Sequence, residues 1–134
     1  MPTVKIYNLD KLNINRSDER GWIVSIAEFA TKKGYKIKNI HTGSISPGKI
    51  RGNHLHRKQK EWVFIFGGKG IFSWKEGGKN KKQTLNLKDH FLFEVEPRCP
   101  HAIKNIDSHD IYVCAFTNQK YNPKNPDRIL AEII

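Results

Sequence analysis

The sequence predicts an all-β domain, and three observations carry that prediction. The apolar runs are short, four to seven residues, and rich in β-branched and aromatic side chains. Turn signals separate them at near-even intervals: Ser46-Pro47-Gly48, Phe66-Gly67-Gly68-Lys69-Gly70, Glu76-Gly77-Gly78-Lys79-Asn80 and Asp107-Ser108. No long stretch carries the period of an amphipathic helix. Many short strands punctuated in this way describe a sandwich or barrel. A chain of 134 residues has room for one such domain and one core, so residues 1–134 are read as a single unit.

In chain order, the runs predict strands at Val4–Tyr7, Trp22–Phe29, Tyr35–His41, Lys49–Gly52, Glu61–Phe66, Gly70–Lys75, Gln83–Leu87, His90–Val95, His101–Asn105 and Ile111–Thr117. Ser25–Lys33 carries a competing signal. Ile26, Phe29 and Ala30 fall on one helical face, and Gly34 would stop the helix. The lysine-rich Gly77–Lys82 reads as a solvated hairpin tip. Phe64, Phe66, Phe72, Phe91 and Phe93 recur at a spacing of two on strands and read as barrel lining and core. Asn118–Arg128, with its prolines and asparagines, reads as an ordered loop before the apolar Ile129–Ile134, which returns to the body or packs on a partner subunit.

The net charge of +11 and pI near 9.8 raise nucleic acid as a partner. The charge is concentrated: between Lys32 and Lys60 there are nine Lys or Arg and no Asp or Glu. That window lacks the aromatic interleaving of a single-strand platform and any helical reading motif, which argues against nucleic acid. No apolar stretch is long enough to span a membrane, and MPTVKIYNLD lacks the regions of a signal peptide, so a cytoplasmic protein with no membrane partner is expected. Two cysteines, Cys99 and Cys114, form no CxxC pair and suit a reducing compartment. Cys99, two residues before His101, reads as a turn residue, with a soft ligand or reactive thiol as alternatives; Cys114 reads as a small core residue.

The basic window also holds the chemistry. On a strand, residues two apart share a face, so His54 and His56 project together, and Glu61 opens the next strand beside them. Two imidazoles and a carboxylate converging on one point make a recognised set of ligands for Zn²⁺, Fe²⁺, Mn²⁺ or Ni²⁺. His101, at the start of a late strand, is a fourth candidate. Gly48, His54, His56, Glu61 and Gly68 satisfy G-x5-H-x-H-x4-E-x6-G in full, and in this the chain resembles the cupin superfamily. The second cupin motif is met only at its end, by His101 and Asn105; His90, Glu96 and Arg98 stand where glycine, proline and glycine are expected. The resemblance implies a jelly-roll barrel, the double-stranded β-helix.

A finer resemblance runs from about residue 18 to 128. Asp18-Glu19-Arg20-Gly21-Trp22, Arg51-Gly52-Asn53-His54-Leu55-His56 and Tyr121-Asn122-Pro123-Lys124-Asn125-Pro126-Asp127 are similar to landmarks of the sugar-nucleotide cupins. These are the 3,5-epimerases and 3,4-ketoisomerases of 4-keto-6-deoxy sugars and the C-terminal cupin of capsule-biosynthesis reductase-epimerases. The resemblance implies a nucleotide-diphosphate sugar as partner, dTDP- or UDP-linked, a homodimer, and an isomerase or epimerase of surface-polysaccharide biosynthesis. Such chemistry takes a proton from the carbon beside a ketone and stabilises the enolate.

His54 or His56 is then the base if no metal is present. If a divalent ion is present, zinc first, His54, His56, Glu61 and His101 hold it and it polarises the ketone. Arg20, Arg51, Asn53 and Lys60 are the substrate-binding candidates, the arginines as diphosphate forks. Tyr121 is a candidate acid or stacking platform. Two other classes compete: a cupin that binds a sugar nucleotide without turnover, and a metal-dependent dioxygenase or other metal-isomerase built on the same ligands.

Overall fold

The computed structural model describes residues 1–12 and 15–134. Twelve strands and one short helix follow one another in the described residues: β1 (Val4–Asn8), β2 (Asn15–Asp18), β3 (Gly21–Val24), α1 (Glu28–Lys32), β4 (Asn39–Ile45), β5 (Ile50–Leu55), β6 (Glu61–Phe66), β7 (Gly70–Glu76), β8 (Lys79–Leu85), β9 (Phe91–Val95), β10 (His101–Asn105), β11 (Ile111–Thr117) and β12 (Ile129–Leu130). They form two five-stranded antiparallel sheets, ordered β1-β9-β6-β11-β4 and β12-β5-β10-β7-β8, with β2-β3 as a separate hairpin. This is the cupin jelly roll. β1 pairs with β9 of its own chain, Val4 opposite Val95.

Strand alternation builds two apolar layers from the first sheet. Val63 and Ile65 of β6, Phe93 and Val95 of β9, and Val113 and Ala115 of β11 face inward and meet Phe72, Trp74 and Ile103 of the second sheet. Trp62, Phe64, Leu92 and Phe116 point the other way and are covered by Leu9, Ala30 and the side chains of Val24, Ile26, Phe29 and Tyr35. The aromatic series is therefore divided. Phe72, Phe91 and Phe93 belong to the barrel, whereas Phe64 and Phe66 lie outside it, edge-on to Trp22 at 5.8 and 5.9 Å.

The predicted strand at Trp22–Phe29 ends at Val24, and the helical signal prevails after it. Its stop is a Schellman pattern: the Gly34 N–H donates to the Thr31 carbonyl and the Tyr35 N–H to that of Ala30, with Gly34 at φ 83°. Tyr35 and Ile37 are then used as cover for the outer layer, so β4 starts at Asn39 rather than Tyr35. β5 runs on past Gly52 to Leu55. The hairpin tip is only Gly77-Gly78, both at positive φ, so β8 begins at Lys79 and ends at Leu85, earlier than predicted. Lys79, Lys81 and Lys82 are strand residues whose side chains are in solvent. Only Ile129 and Leu130 of the C-terminal apolar run form a strand, β12, alongside β5.

Both cysteines are free. Cys99 is a buried member of the inner core; its thiol donates to the Lys75 carbonyl, and burial pushes its pKa up to about 11, which leaves it unreactive. Cys114 is half-buried on β11. No helix of the described residues is long and apolar enough to cross a membrane.

Two substitutions test this packing. Arg98, in the motif's glycine position, keeps the left-handed backbone at φ 68° while its N–H donates to the His56 carbonyl at 2.6 Å. Arg98→Gly is expected to raise the unfolding free energy by about 1 kcal/mol in urea titrations, because a side chain in that region is disfavoured by about that much. Glu94, with a side chain 1% exposed, accepts from the Trp62 indole at 2.9 Å and faces Lys33 and Lys60 at 3.4 and 3.7 Å. Burial pushes its carboxyl up, but these three partners outweigh it and hold it below its ordinary 4.5. A depressed carboxyl stabilises the fold above its unfolded pKa and loses that contribution as pH falls through its folded one. Glu94→Gln is expected to cost about 1–3 kcal/mol at pH 7, a gap that narrows in denaturation curves taken progressively below pH 4.5.

Candidate metal centre and pocket

A bulge builds the site. In the pairing of β5 with β10, Ala102 lies opposite Gly52 but His101 lies opposite His54, so Asn53 is the extra residue. Gly52 at φ 97° and Asn53 at φ 53° adopt the left-handed backbone this needs, Gly freely and Asn at modest cost. Gly52 is also a close approach: a Cβ there would meet the His101 carbonyl oxygen at 2.8 Å and the Ala102 Cα at 3.0 Å. The two strands come together and His54 faces His101, ring centroids 4.9 Å apart; His56 follows at 4.7 Å from His54. One nitrogen from each of His54, His56 and His101 falls within 4.8 Å of the others.

Backbone carbonyls aim two of the three rings. The His56 Nδ1–H donates to the Asp127 carbonyl at 2.7 Å, and the His101 Nδ1–H to the Cys99 carbonyl at 3.0 Å. Both Nε2 atoms therefore face the Glu61 carboxylate, His56 at 3.4 Å from Oε2 and His101 at 3.7 Å from Oε1. Phe72 stacks against His101 with its plane 10° away.

The charges in the cluster are ordered. Burial raises the Glu61 carboxyl, but His101 and His56 outweigh it and hold it well below its usual range. Burial, with the positive fields of His101 and His56, lowers His54 to about 4, so that imidazole is neutral. Burial also opposes charge on His56, yet the Glu61 carboxylate and the Asp127 carbonyl keep its pKa above the ordinary value.

The cluster lies on the buried side of a cavity of about 690 Å³ between the two sheets. That is the size of a small-molecule site. Arg51 and Tyr121, two of the residues singled out from the sequence, line it, with Tyr121 65% exposed. The structure does not bring the other substrate candidates there. Arg20 is on the exposed β2–β3 turn, tied to Asp18 at 2.6 Å. The Asn53 side chain is consumed by backbone, accepting from the Ile133 and Ile134 N–H groups. Lys60 precedes Glu61 and so points to the opposite face, where its ammonium meets the Tyr35 hydroxyl at 3.0 Å and Glu94.

Residues that sequence reasoning missed complete the wall: Asn39 and His41 of β4, Gln59, and Asp127 and Arg128 of the C-terminal segment. Asp127 accepts from the N–H groups of Arg57, Lys58 and Gln59, which outweigh burial and lower its carboxyl. Its place in Tyr121–Asp127 was a signal; its contacts were not legible there.

The donor set suits a divalent cation. Three imidazole nitrogens converge, the Glu61 carboxylate faces two of them, two rings are oriented from behind by carbonyls, and the buried His56 Nε2 has no hydrogen-bond partner. Gly52→Ala is expected to push β5 off β10, costing about 2–4 kcal/mol from backbone strain and the clash. Zn²⁺ affinity by competition titration should fall with it.

Comparison with known proteins follows the same lines. Residues 16–129 match the family model described as the polysaccharide biosynthesis C-terminal domain. The chain is 26% identical over 113 residues to UDP-2-acetamido-2,6-beta-L-arabino-hexul-4-ose reductase of Pseudomonas aeruginosa, a match that covers 83% of this chain and 29% of that protein. This chain thus spans under a third of that relative. Among solved structures, it is similar to the capsular polysaccharide assembling protein CapF of Staphylococcus aureus, at 18% identity and TM-score 0.67 over 89% of this chain and 34% of that one. It is also similar to a variant of the 3,4-ketoisomerase QdtA of Thermoanaerobacterium thermosaccharolyticum in complex with TDP-4-keto-6-deoxyglucose, at 15% identity and TM-score 0.74 over 94% and 86%. With its cupin fold and a match that takes in most of its length, the chain belongs to the polysaccharide biosynthesis C-terminal domain family.

Proposed function

We propose that this chain is a sugar-nucleotide isomerase or epimerase of surface-polysaccharide biosynthesis, acting in the cytoplasm on a nucleotide-diphosphate hexose with a ketone at carbon 4. The observation that carries the reading is the imidazole and carboxylate cluster on the buried side of a cavity whose wall also carries Arg51 and Arg128. The names of two relatives support the substrate class, since a hexul-4-ose and a 4-keto-6-deoxyglucose share that ketone.

His54, His56 and His101 with Glu61 would hold a divalent ion, zinc first, with iron, manganese and nickel suited to the same donors. When bound, it supplies Lewis-acid polarisation of the keto oxygen. The chain supplies the rest. Arg51 is pre-oriented by its Nε–H bond to the Ser44 carbonyl at 2.8 Å, and with Arg128 it offers forks for the diphosphate. An imidazole that gives its lone pair to a cation does not take a proton. The Asp127 carboxylate is engaged by three backbone N–H groups, which leaves Tyr121 and His41 among the pocket-lining residues to carry it. His41 is opposite Ala115 of β11, and two strand spacings, about 10 Å, separate its strand from that of Glu61, room for a sugar ring.

A second reading needs no cation. His54, neutral, beside His56, whose pKa is raised, is a base next to an acid. Elemental analysis of purified protein separates the two readings: a near-stoichiometric metal that disappears in His54→Ala and Glu61→Ala supports the first. The homodimer that the resemblance implies belongs to the same proposal, and sedimentation velocity tests it.

The reaction is tested by incubating the protein with dTDP- and UDP-linked 4-keto-6-deoxyhexoses in D₂O. Exchange of the ring proton beside the ketone and a new isomer are expected by NMR. Tyr121→Phe or His41→Asn should slow exchange by about 10²–10⁴-fold, whichever carries the proton. Arg51→Ala should raise KM about tenfold or more, with a larger effect at low salt, where screening is weaker. Tight binding without exchange would make the chain a binding module; neither binding nor exchange would overturn the proposal.

A further inference from the structure

Asp127 makes contacts that reach both ends of the imidazole and carboxylate cluster. Its Oδ1 accepts from the Arg57 N–H at 3.1 Å, and its Oδ2 from the N–H groups of Lys58 and Gln59 at 2.9 Å each. Three successive amides closing on one carboxylate form an anion nest, filled here by the chain's own side chain. Those amides belong to the loop joining β5 to β6, with His56 at one end and Glu61 at the other. The third of them, Gln59, also donates its side-chain amide to Glu61 Oε2 at 3.0 Å. The backbone carbonyl of Asp127 accepts from His56 Nδ1 at 2.7 Å.

We infer that Asp127 is the positioning residue of the centre: its carboxylate locks the β5–β6 loop and so holds its own carbonyl where it selects the Nδ1–H tautomer of His56. Nε2 is then the atom presented to Glu61 and to a cation. The carboxylate and the carbonyl act together, because the same residue must be held by the loop for its carbonyl to reach the ring. Beyond Asp127 the segment is docked independently: Ile129 and Leu130 pair with β5, and Asn53 holds Ala131, Ile133 and Ile134. Losing the nest therefore frees the carbonyl without unravelling the barrel. The inference rests on the cation reading of the cluster and does not depend on turnover.

A control of like chemistry exists at the far end of β10. Asp107 accepts from the Lys69 and Ser108 N–H groups at 2.8 Å each, closing a loop away from the cluster. The experiment titrates the metal-free full chain with Co²⁺, following its visible absorption, and records the imidazole ¹⁵N signals of the apo protein. Wild type is expected to bind Co²⁺ and, at a pH high enough for His56 to be neutral, to show it as the Nδ1–H tautomer. Asp127→Ala should weaken Co²⁺ binding by about 10–100-fold and lose that tautomer signature, with Asp127→Asn, which keeps one acceptor oxygen, falling between. Asp107→Ala should lower thermal stability while keeping wild-type cobalt affinity and His56 signals. Wild-type affinity and an unchanged His56 signal in Asp127→Ala would overturn the inference, as would an equal loss in Asp107→Ala. Absence of cobalt absorption in wild type would instead overturn the cation reading, and the His56 signal would then decide on Asp127 alone.

Discussion

The site depends on a steric constraint at residue 52, where nothing larger than hydrogen fits between β5 and β10. The missing side chain lets the two strands close, and the left-handed turn through Gly52 and Asn53 inserts the extra residue that shifts their register. Without that shift His54 would not stand opposite His101. The inner core, the cavity and the rim are the barrel's general consequences, whereas the convergence of three imidazoles is a local consequence of one glycine and one bulge.

Once assembled, the cluster holds a charge that the barrel interior disfavours. Glu61 is buried, and a buried carboxylate is costly unless it meets donors or positive partners. Two imidazoles meet it, each turned by a carbonyl behind its ring, so the polar groups are aimed before any ligand arrives. The basic window around it now has a local meaning: Arg51 is on the cavity wall, whereas Lys60 is turned through the sheet to neutralise Glu94.

Much of this was legible from residues. Turn signals and short apolar runs mark the strands that build both sheets, and the spacing of His54, His56, Glu61 and His101 points to the cluster. What was not legible depended on contacts distant in the chain. Alternation alone does not say that β6 is covered on both sides, so it does not show that Phe64 and Phe66 pack in the outer layer rather than line the barrel. A positive side chain beside the histidine pair looks like a substrate clamp until its face is known, and Lys60 faces Glu94 on the other side of the sheet. Asn53 has the composition of a recognition residue, yet its left-handed backbone and bonds to Ile133 and Ile134 make it structural. Asp127 and Arg128 come from a loop more than 65 residues downstream of the histidine pair, as the 71-residue separation of the His56–Asp127 contact shows.

The two-sided burial of β6 leaves that strand with a problem of identity. Trp62, Val63, Phe64 and Ile65 are all apolar and buried, so hydrophobicity gives little reason to prefer one face over the other. A slip of one residue would trade the two layers and swing Glu61 out of the barrel. The far side of the sheet forbids the exchange. Among the described residues, the indole N–H of Trp62 finds its acceptor on Glu94, its direct partner on β9, and Glu94 in turn needs the cations outside. Polar groups that take no part in the cavity therefore act as the key that tells the strand which way round it lies, and through it which way the Glu61 carboxylate faces.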